Sequence, residues 1–317
     1  MSETTLSLLP PETSGNLTIF LISGPEVWPD ANLLTLEEAL ADNSLVIHET
    51  GDVNKLAVEN LSSFDVFLQS GDMVKGGLQD RVVSVDLIVP AGSAKIPLKS
   101  FCVESGRWHS RVNRATGVEN SERFSSATHR VASRDIKYAA MYSNSQSLIW
   151  EKVHHFQESL GDSFSRNLRD EQSPTSLQLT LEDEQLEQMV DEHLKKLLPI
   201  VENSTQTILG YAFAINGELN SADIYTNSAL FRKLWPRLLK ASVIESLGRN
   251  VNSQHSSQIN IKEVQAILDQ PRGIKWSKRF VSPRITLRSA ETEKVFIQDT
   301  CDTDRDGAWF HRNYLAK

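Results

Sequence analysis

Leu45-Val46-Ile47-His48, Lys55-Leu56-Ala57-Val58-Glu59 and Asp65-Val66-Phe67-Leu68 are the runs on which the fold turns. Each is short, rich in β-branched and large apolar residues, and closed by Gly, Asp, Asn or Ser, as strands joined by tight turns are. Val82 to Val89 and Lys99 to Val103 extend the series, and Pro90 and Pro97 bracket the loop between them. Runs at such near-regular intervals argue for a sheet folded into a sandwich or barrel. Upstream, Leu17 to Ser23 reads as a strand. Thr35-Leu36-Glu37-Glu38-Ala39-Leu40 reads as a short helix, with Thr35 as its cap and Glu38 completing a capping box. Residues 1–16 contain Pro10-Pro11, lack apolar periodicity and read as a flexible tail.

Downstream the pattern changes. Ser105 to about Ser145 is polar and Arg-rich and reads as a long excursion over the surface. Ile149, Trp150, Val153, Phe156 and Leu160 then share one face of a helix from about Ser147, with Gly161 stopping it. Leu181 to about Ile200 repeats that pattern, with acids at its start and Lys195 and Lys196 at its end, as the helix dipole favours. Leu209 to Ile215, Asn216-Gly217 and Glu218 to Thr226 make a hairpin, because Asn-Gly suits a type I′ turn. A long helix over Ser228 to Leu247, with Pro236 as a kink point and Gly248 as cap, follows. Ile261 to Leu268 reads as a short helix and Arg284 to Ile297 as a closing hairpin. The expected class is α+β. A β-rich, sandwich or barrel-like half spans residues 17–146, and helices plus antiparallel hairpins fill 147–317. The two halves either stand apart or share one core.

Composition sets the outer bounds. The chain has 317 residues, 39% hydrophobic, which excludes a disordered or fibrous protein and supplies enough apolar surface for one large or two smaller cores. No apolar stretch approaches a membrane span. Nine acids and no Lys or Arg precede Lys55, so neither a positively charged secretory leader nor an Arg-rich transit segment opens the sequence. The expectation is a cytoplasmic protein whose two cysteines, Cys102 and Cys301, are thiols. The net charge of −8 makes duplex nucleic acid an unfavoured partner. Basic residues cluster nonetheless: Arg107, Arg111, Arg114, Arg123, Arg130, Arg134 and Lys137 in one stretch, and Arg272 to Arg288 in another without an intervening acid. Such clusters suit a phosphate-bearing ligand or form a solvated charged face.

The densest site-like segment runs from Gly71 to Trp108. It holds Gly76-Gly77-Leu78-Gln79-Asp80-Arg81, the turn Val89-Pro90-Ala91-Gly92, and Cys102-Val103-Glu104-Ser105-Gly106-Arg107-Trp108. A Gly-Gly pair in a β-rich region permits positive φ and close approach by a ligand or another backbone. The same pair also suits a bulge at which Gln79 and Arg81 satisfy backbone groups.

These motifs resemble an uncharacterised prokaryotic domain family named for its association with ADP-ribosylglycohydrolase and rhodanese-phosphatase domains. Leu34–Leu40, the Ser-Gln-x-x-Ile-Trp segment at Ser145–Trp150, and the Gly-Tyr-Ala-Phe hairpin with its following helix are similar to it too. The likeness spans roughly residues 17–290 and implies a setting in NAD or ADP-ribose metabolism. Carried onto this chain, it implies Gly76, Gly77, Gln79, Arg81, Gly106, Arg107, Trp108 and Gln146 as ligand-binding residues, with Glu104 as the catalytic candidate. Arg81 and Arg107 would hold a pyrophosphate, Trp108 would stack on a base, and Glu104 would serve as general base in a hydrolytic or group-transfer step. The structural counterpart pairs Glu104 with Arg107 or Arg81 as an ion pair. The other expected role is a non-catalytic module that binds a protein partner.

Three further signals carry less. Asp302, Asp304 and Asp306 match the first half of a calcium loop, but Asn313 stands where the closing Glu belongs, and an acidic hairpin turn explains them equally. His154 and His155 are adjacent on a helix and point apart, so no metal site is expected there. The Val-Pro-x-Gly turn is similar to that of a cupin barrel, without the metal-binding histidines.

Overall fold

The computed structural model describes residues 6–29, 31–106, 124–171, 173–249, 259–269 and 273–317, with backbone alone for 125–130. In chain order the early strands are β1 (Ser7–Leu8), β2 (Glu12–Ser14), β3 (Leu17–Ser23) and β4 (Leu34–Thr35). Helix α1 (Leu36–Ala41) precedes β5 (Leu45–Glu49), β6 (Lys55–Asn60), β7 (Val66–Leu68) and β8 (Asp72–Lys75). Then come β9 (Arg81–Val83), β10 (Leu87–Val89), β11 (Ile96–Cys102) and β12 (Ser125–Val131). Helices α2 (Arg134–Tyr138), α3 (Gln146–Ser163), α4 (Leu177–Leu181) and α5 (Glu184–Leu197) follow. The hairpin β13 (Ile208–Ile215) and β14 (Glu218–Tyr225) leads into α6 (Ser228–Leu247) and α7 (Ile261–Leu268). The chain closes with β15 (Ser277–Phe280), β16 (Ile285–Glu291), β17 (Val295–Asp302) and β18 (Ala308–Ala316).

The class is α+β, with antiparallel sheets throughout apart from the parallel pair β4–β7. Two compact units hold these elements. The first comprises Met1–Ala31, Asp191–Ser246 and Asn250–Lys317; the second comprises Asn32–Val190 with Leu247–Arg249.

The first unit is one nine-stranded sheet in the order β1-β3-β13-β14-β18-β17-β16-β15, with β2 also on β3. One face packs Phe20, Ile22, Ala212, Ile224, Ile297 and Tyr314 against Val264 and Leu268 of α7. On the opposite face the Tyr211 ring lies 5.8 Å from Phe213 and 5.4 Å from Trp235 of α6. Asn216 and Gly217 have φ of 52° and 82°, the paired positive values that a type I′ turn demands.

The second unit holds a three-stranded sheet, β10-β7-β4, and a six-stranded half-barrel, β12-β8-β9-β11-β6-β5. Its strands alternate as a half-buried sheet should: in β6, Leu56, Val58 and Asn60 turn inward and Lys55 outward. Thr35 accepts from the Glu38 backbone N–H while the Glu38 carboxylate accepts from Thr35, so α1 begins on a complete capping box.

Several expectations are corrected. Residues 6–16 form β1 and β2 on β3 instead of a loose tail, because β3 offers both them and β13 its backbone edges. Val82 to Val89 is two strands in two sheets, parted where Ser84 and Asp86 interrupt the apolar run. The expected surface excursion carries β12, α2 and a π-helical turn at Ala139–Ser143. Helix α3 runs past Gly161 to Ser163. The expected helix from Leu181 begins at Glu184 as α5, and Leu181 instead ends the separate short helix α4. The closing hairpin is present as β16–β17, and β15 and β18 extend it to a four-stranded meander.

Candidate functional site

The motif cluster lies within the second unit, where β8, β9 and β11 run side by side. Arg81 opens β9 and pairs with Cys102, the last residue of β11. Its side chain is fully buried. One guanidinium nitrogen donates to the Gln79 carbonyl at 3.2 Å, the Gln79 side-chain oxygen at 3.3 Å and the Cys102 sulfur at 2.7 Å. The other reaches Glu49 at 3.5 Å. Glu49 also accepts from the Leu78 N–H at 2.8 Å, so one carboxylate holds both Arg81 and the loop beside the glycines.

Gly77 requires its residue type twice over. Its φ is +53°, and a Cβ there would run into the Phe124 ring and the Glu49 carboxylate. Gly76 donates to the Asp80 carboxylate at 3.1 Å. Gln79 reaches across to donate to the Glu104 carbonyl at 3.0 Å. The Cys102 thiol donates to the Gln79 oxygen. Burial pushes that thiol up to about 12, against the opposing charge of Arg81, so it stays protonated at neutral pH.

Gln146, the first residue of α3, acts as a two-ended fastener. Its oxygen accepts from the Cys102 N–H at 2.9 Å and its amide donates to the Cys102 carbonyl at 2.8 Å. Further along α3, Gln157 donates to the Pro174 and Ser176 carbonyls and to the Thr180 hydroxyl. The 173–176 loop is tied back in turn. Ser173 donates to the buried Glu104 carboxylate, Thr175 to the Ser105 carbonyl, and Ser176 to Asp80.

Between α3 and these ties lies a cleft of about 420 Å³. From α3 it takes Ser147, Trp150, Glu151 and His154, residues at helical spacing on one stripe; Ser105 and Thr175 form the facing wall. The Trp150 indole N–H is buried and has no acceptor among the described residues. His154 bonds Glu158 at 3.1 Å, and the His155 ring stands 69° to its ring, the centroids 6.3 Å apart.

Gln79, Arg81, Glu104 and Gln146 thus converge, linked through Cys102. Gly76 and Gly77 form the adjoining turn, and Gly106, with φ +83°, is exposed next to the cleft residue Ser105. Arg107 and Trp108 lie outside the described residues. Glu49, Asp80, Ser173, Ser176 and the α3 stripe were not singled out from sequence. The one available signal for the stripe was the family-like Ser145–Trp150 segment, which supplies both Gln146 and Trp150.

The calcium-like run has another use. Asp302 accepts from Arg284 at 2.9 and 3.0 Å and from Arg305 at 3.2 Å, and residues 303–307 make the turn from β17 to β18. Among the described residues no group of His, Cys, Asp and Glu is arranged to hold a metal ion, and no helix is long and apolar enough to cross a membrane.

Comparison with curated proteins and with solved structures returns no match. The family comparison does: the ARG and Rhodanese-Phosphatase-superfamily-associated Protein domain matches residues 5–314, and the chain belongs to that family.

Proposed function

We propose that the second unit is a binding module for a small phosphate-bearing ligand, seated in the cleft between α3 and the Ser105–Thr175 wall. The carrying observation is convergence: the Cys102–Gly106 and Ser145–Trp150 segments, far apart in sequence, meet at this one cleft. Its volume falls in the ordinary range for small-molecule sites. Its lining offers hydroxyls, imidazoles and a free indole N–H, donors suited to phosphate oxygens. The resemblance implies Arg107, two residues after Ser105 in the sequence, as a further phosphate-binding guanidinium. The family's name, with its ADP-ribosylglycohydrolase association, favours ADP-ribose or an NAD-related compound.

In this reading Arg81, Gln79 and Gln146 hold the frame of the cleft and do not grip the ligand. Glu104 also supports the wall: its carboxylate is fully buried and engaged by Ser173, which favours binding over hydrolysis with Glu104 as base. A thermal-shift screen against ADP-ribose, NAD, AMP and pyrophosphate tests the reading. A ligand at a hundred times its Kd should add about 2.7 kcal/mol, a shift of several degrees. The gain should shrink in Trp150→Phe and Arg107→Ala while their ligand-free midpoints stay close to the parent's. Silence across the panel from folded protein would sink it and leave the protein-binding role.

A further inference from the structure

The nine-stranded sheet of the first unit ends at β15, which pairs with β16 and has no neighbouring strand on its other side among the described residues. All four of its residues are exposed. Alternate N–H and C=O groups on its outer side lack ladder bonds, and none of the described residues supplies them.

The register fixes what flanks this edge. Lys278 lies opposite Arg288, Arg288 opposite Asp299, and Asp299 opposite Arg312, one row across four strands. Asp299 is fully buried and accepts two bonds from Arg312 and one from Arg288. Those guanidiniums also stack on tryptophans, Arg288 at 5.1 Å from Trp276 and Arg312 at 4.7 Å from Trp309. The inner members of the row are therefore occupied, and Lys278 is the outward cation. Phe280, two residues on, projects from the same face as Lys278, and Arg279 from the other. Between residues 273 and 288 the chain has five cations and no acid. Phe280 is 70% exposed, the most exposed large apolar side chain among the described residues.

Short, charged edge strands guard sheets against pairing with copies of themselves. That accounts for Lys278 and Arg279 but not for Phe280, whose exposure works against protection. The charge also selects a partner. A second copy laid edge to edge would set these cations against their equivalents, whereas an acidic strand gains from each of them. We propose that β15 is a docking edge for an extended, acidic segment of a partner protein, which adds to the sheet as a further strand. Its backbone bonds the open edge, its carboxylates meet Lys278 and Arg279, and one apolar side chain covers Phe280. This edge is independent of the cleft in the second unit.

Fluorescence anisotropy tests the idea, with full-length protein titrated into a labelled peptide repeating Glu-Glu-Val-Val, which sets acids opposite Lys278 and Arg279 and an apolar residue opposite Phe280. Binding is expected, weaker at high salt, and reduced at least about tenfold in Lys278→Glu and in Phe280→Ser. N-methylating alternate amides of the peptide keeps its charge but removes donors of the ladder, and should abolish binding. A Lys–Val peptide should stay free. Both substituted side chains are exposed, so the variants should keep the parent's thermal midpoint, and the milder Lys278→Gln should still weaken binding. The proposal is overturned by no binding at millimolar peptide, or by equal binding of methylated and unmethylated peptides. Tight binding of a single-stranded oligonucleotide that the same substitutions abolish, with the peptide ignored, would reassign the edge to nucleic acid.

Discussion

A buried thiol makes Cys102 a reporter of the cluster around it. Its pKa rises from 9.0 to about 12 because burial disfavours the thiolate more than Arg81 favours it. An unfolded chain ionises the same thiol near its ordinary value. Above about pH 9 the unfolded state therefore holds fewer protons than the folded one, and stability falls as pH rises. One such group lowers it by about 1.4 kcal/mol per pH unit, from the ordinary thiol value to the folded one. Burial raises Tyr211 and Cys301 as well, so Cys102→Ala should lessen the alkaline slope without abolishing it. Denaturant unfolding from about pH 8 to 10 measures this, and an unchanged slope in the variant would refute it. At this scale part of the cluster was legible in sequence. Gln79, Arg81 and Glu104 stand out because they are polar residues beside glycines in a β-rich run. Ser173 and Ser176 were not, because a lone hydroxyl more than sixty residues from its acceptor has no spacing to announce it.

Legibility of elements follows how local their determinants are. The α1 cap needs only Thr35 and Glu38, and the β13–β14 turn only Asn216 and Gly217; both were readable and both are present. Strand β8 was not readable. It is four residues, two of them charged, and the buried Asp72 is held there by bonds such as that from the Gln69 N–H at 2.8 Å. Polar β12 is likewise a strand because β8 offers it an edge, which outweighs composition. The cap yields a sharp expectation. Thr35→Ala removes the acceptor for the Glu38 N–H and half of the reciprocal box, and should cost about 1 kcal/mol of stability. Thr35→Ser keeps the hydroxyl and should cost much less. Equal losses in the two, by thermal or urea unfolding, would assign the effect to the lost methyl group, since Thr35 is also buried.

At the level of the whole chain, sequence order conceals the organisation. Strand β3 pairs with β13 from Ser23↔Ile208 to Leu17↔Ile215, although the two stand at opposite ends of the intervening second unit. Any strand of continuous apolar residues could occupy that place, and nothing local specifies which does. Hairpins disclose their partners through their turns; a pairing across so long an insertion discloses nothing. The first unit is assembled from three separate stretches, whereas the second is almost entirely one stretch, Asn32–Val190, with its own buried strands and helices. A single stretch with its own core should fold alone. Helix α5 starts inside that stretch and runs beyond its end to Leu197, so the fragment to express is residues 32–197, which leaves the helix uncut. The expected behaviour is a single cooperative thermal transition, with Cys102 unreactive toward a thiol reagent until denaturant is added. Because the cluster that shields Cys102 draws only on this stretch, protection should match that in the full chain. A fragment that melts without cooperativity, or whose thiol reacts at once, would show that the second unit depends on the rest of the chain.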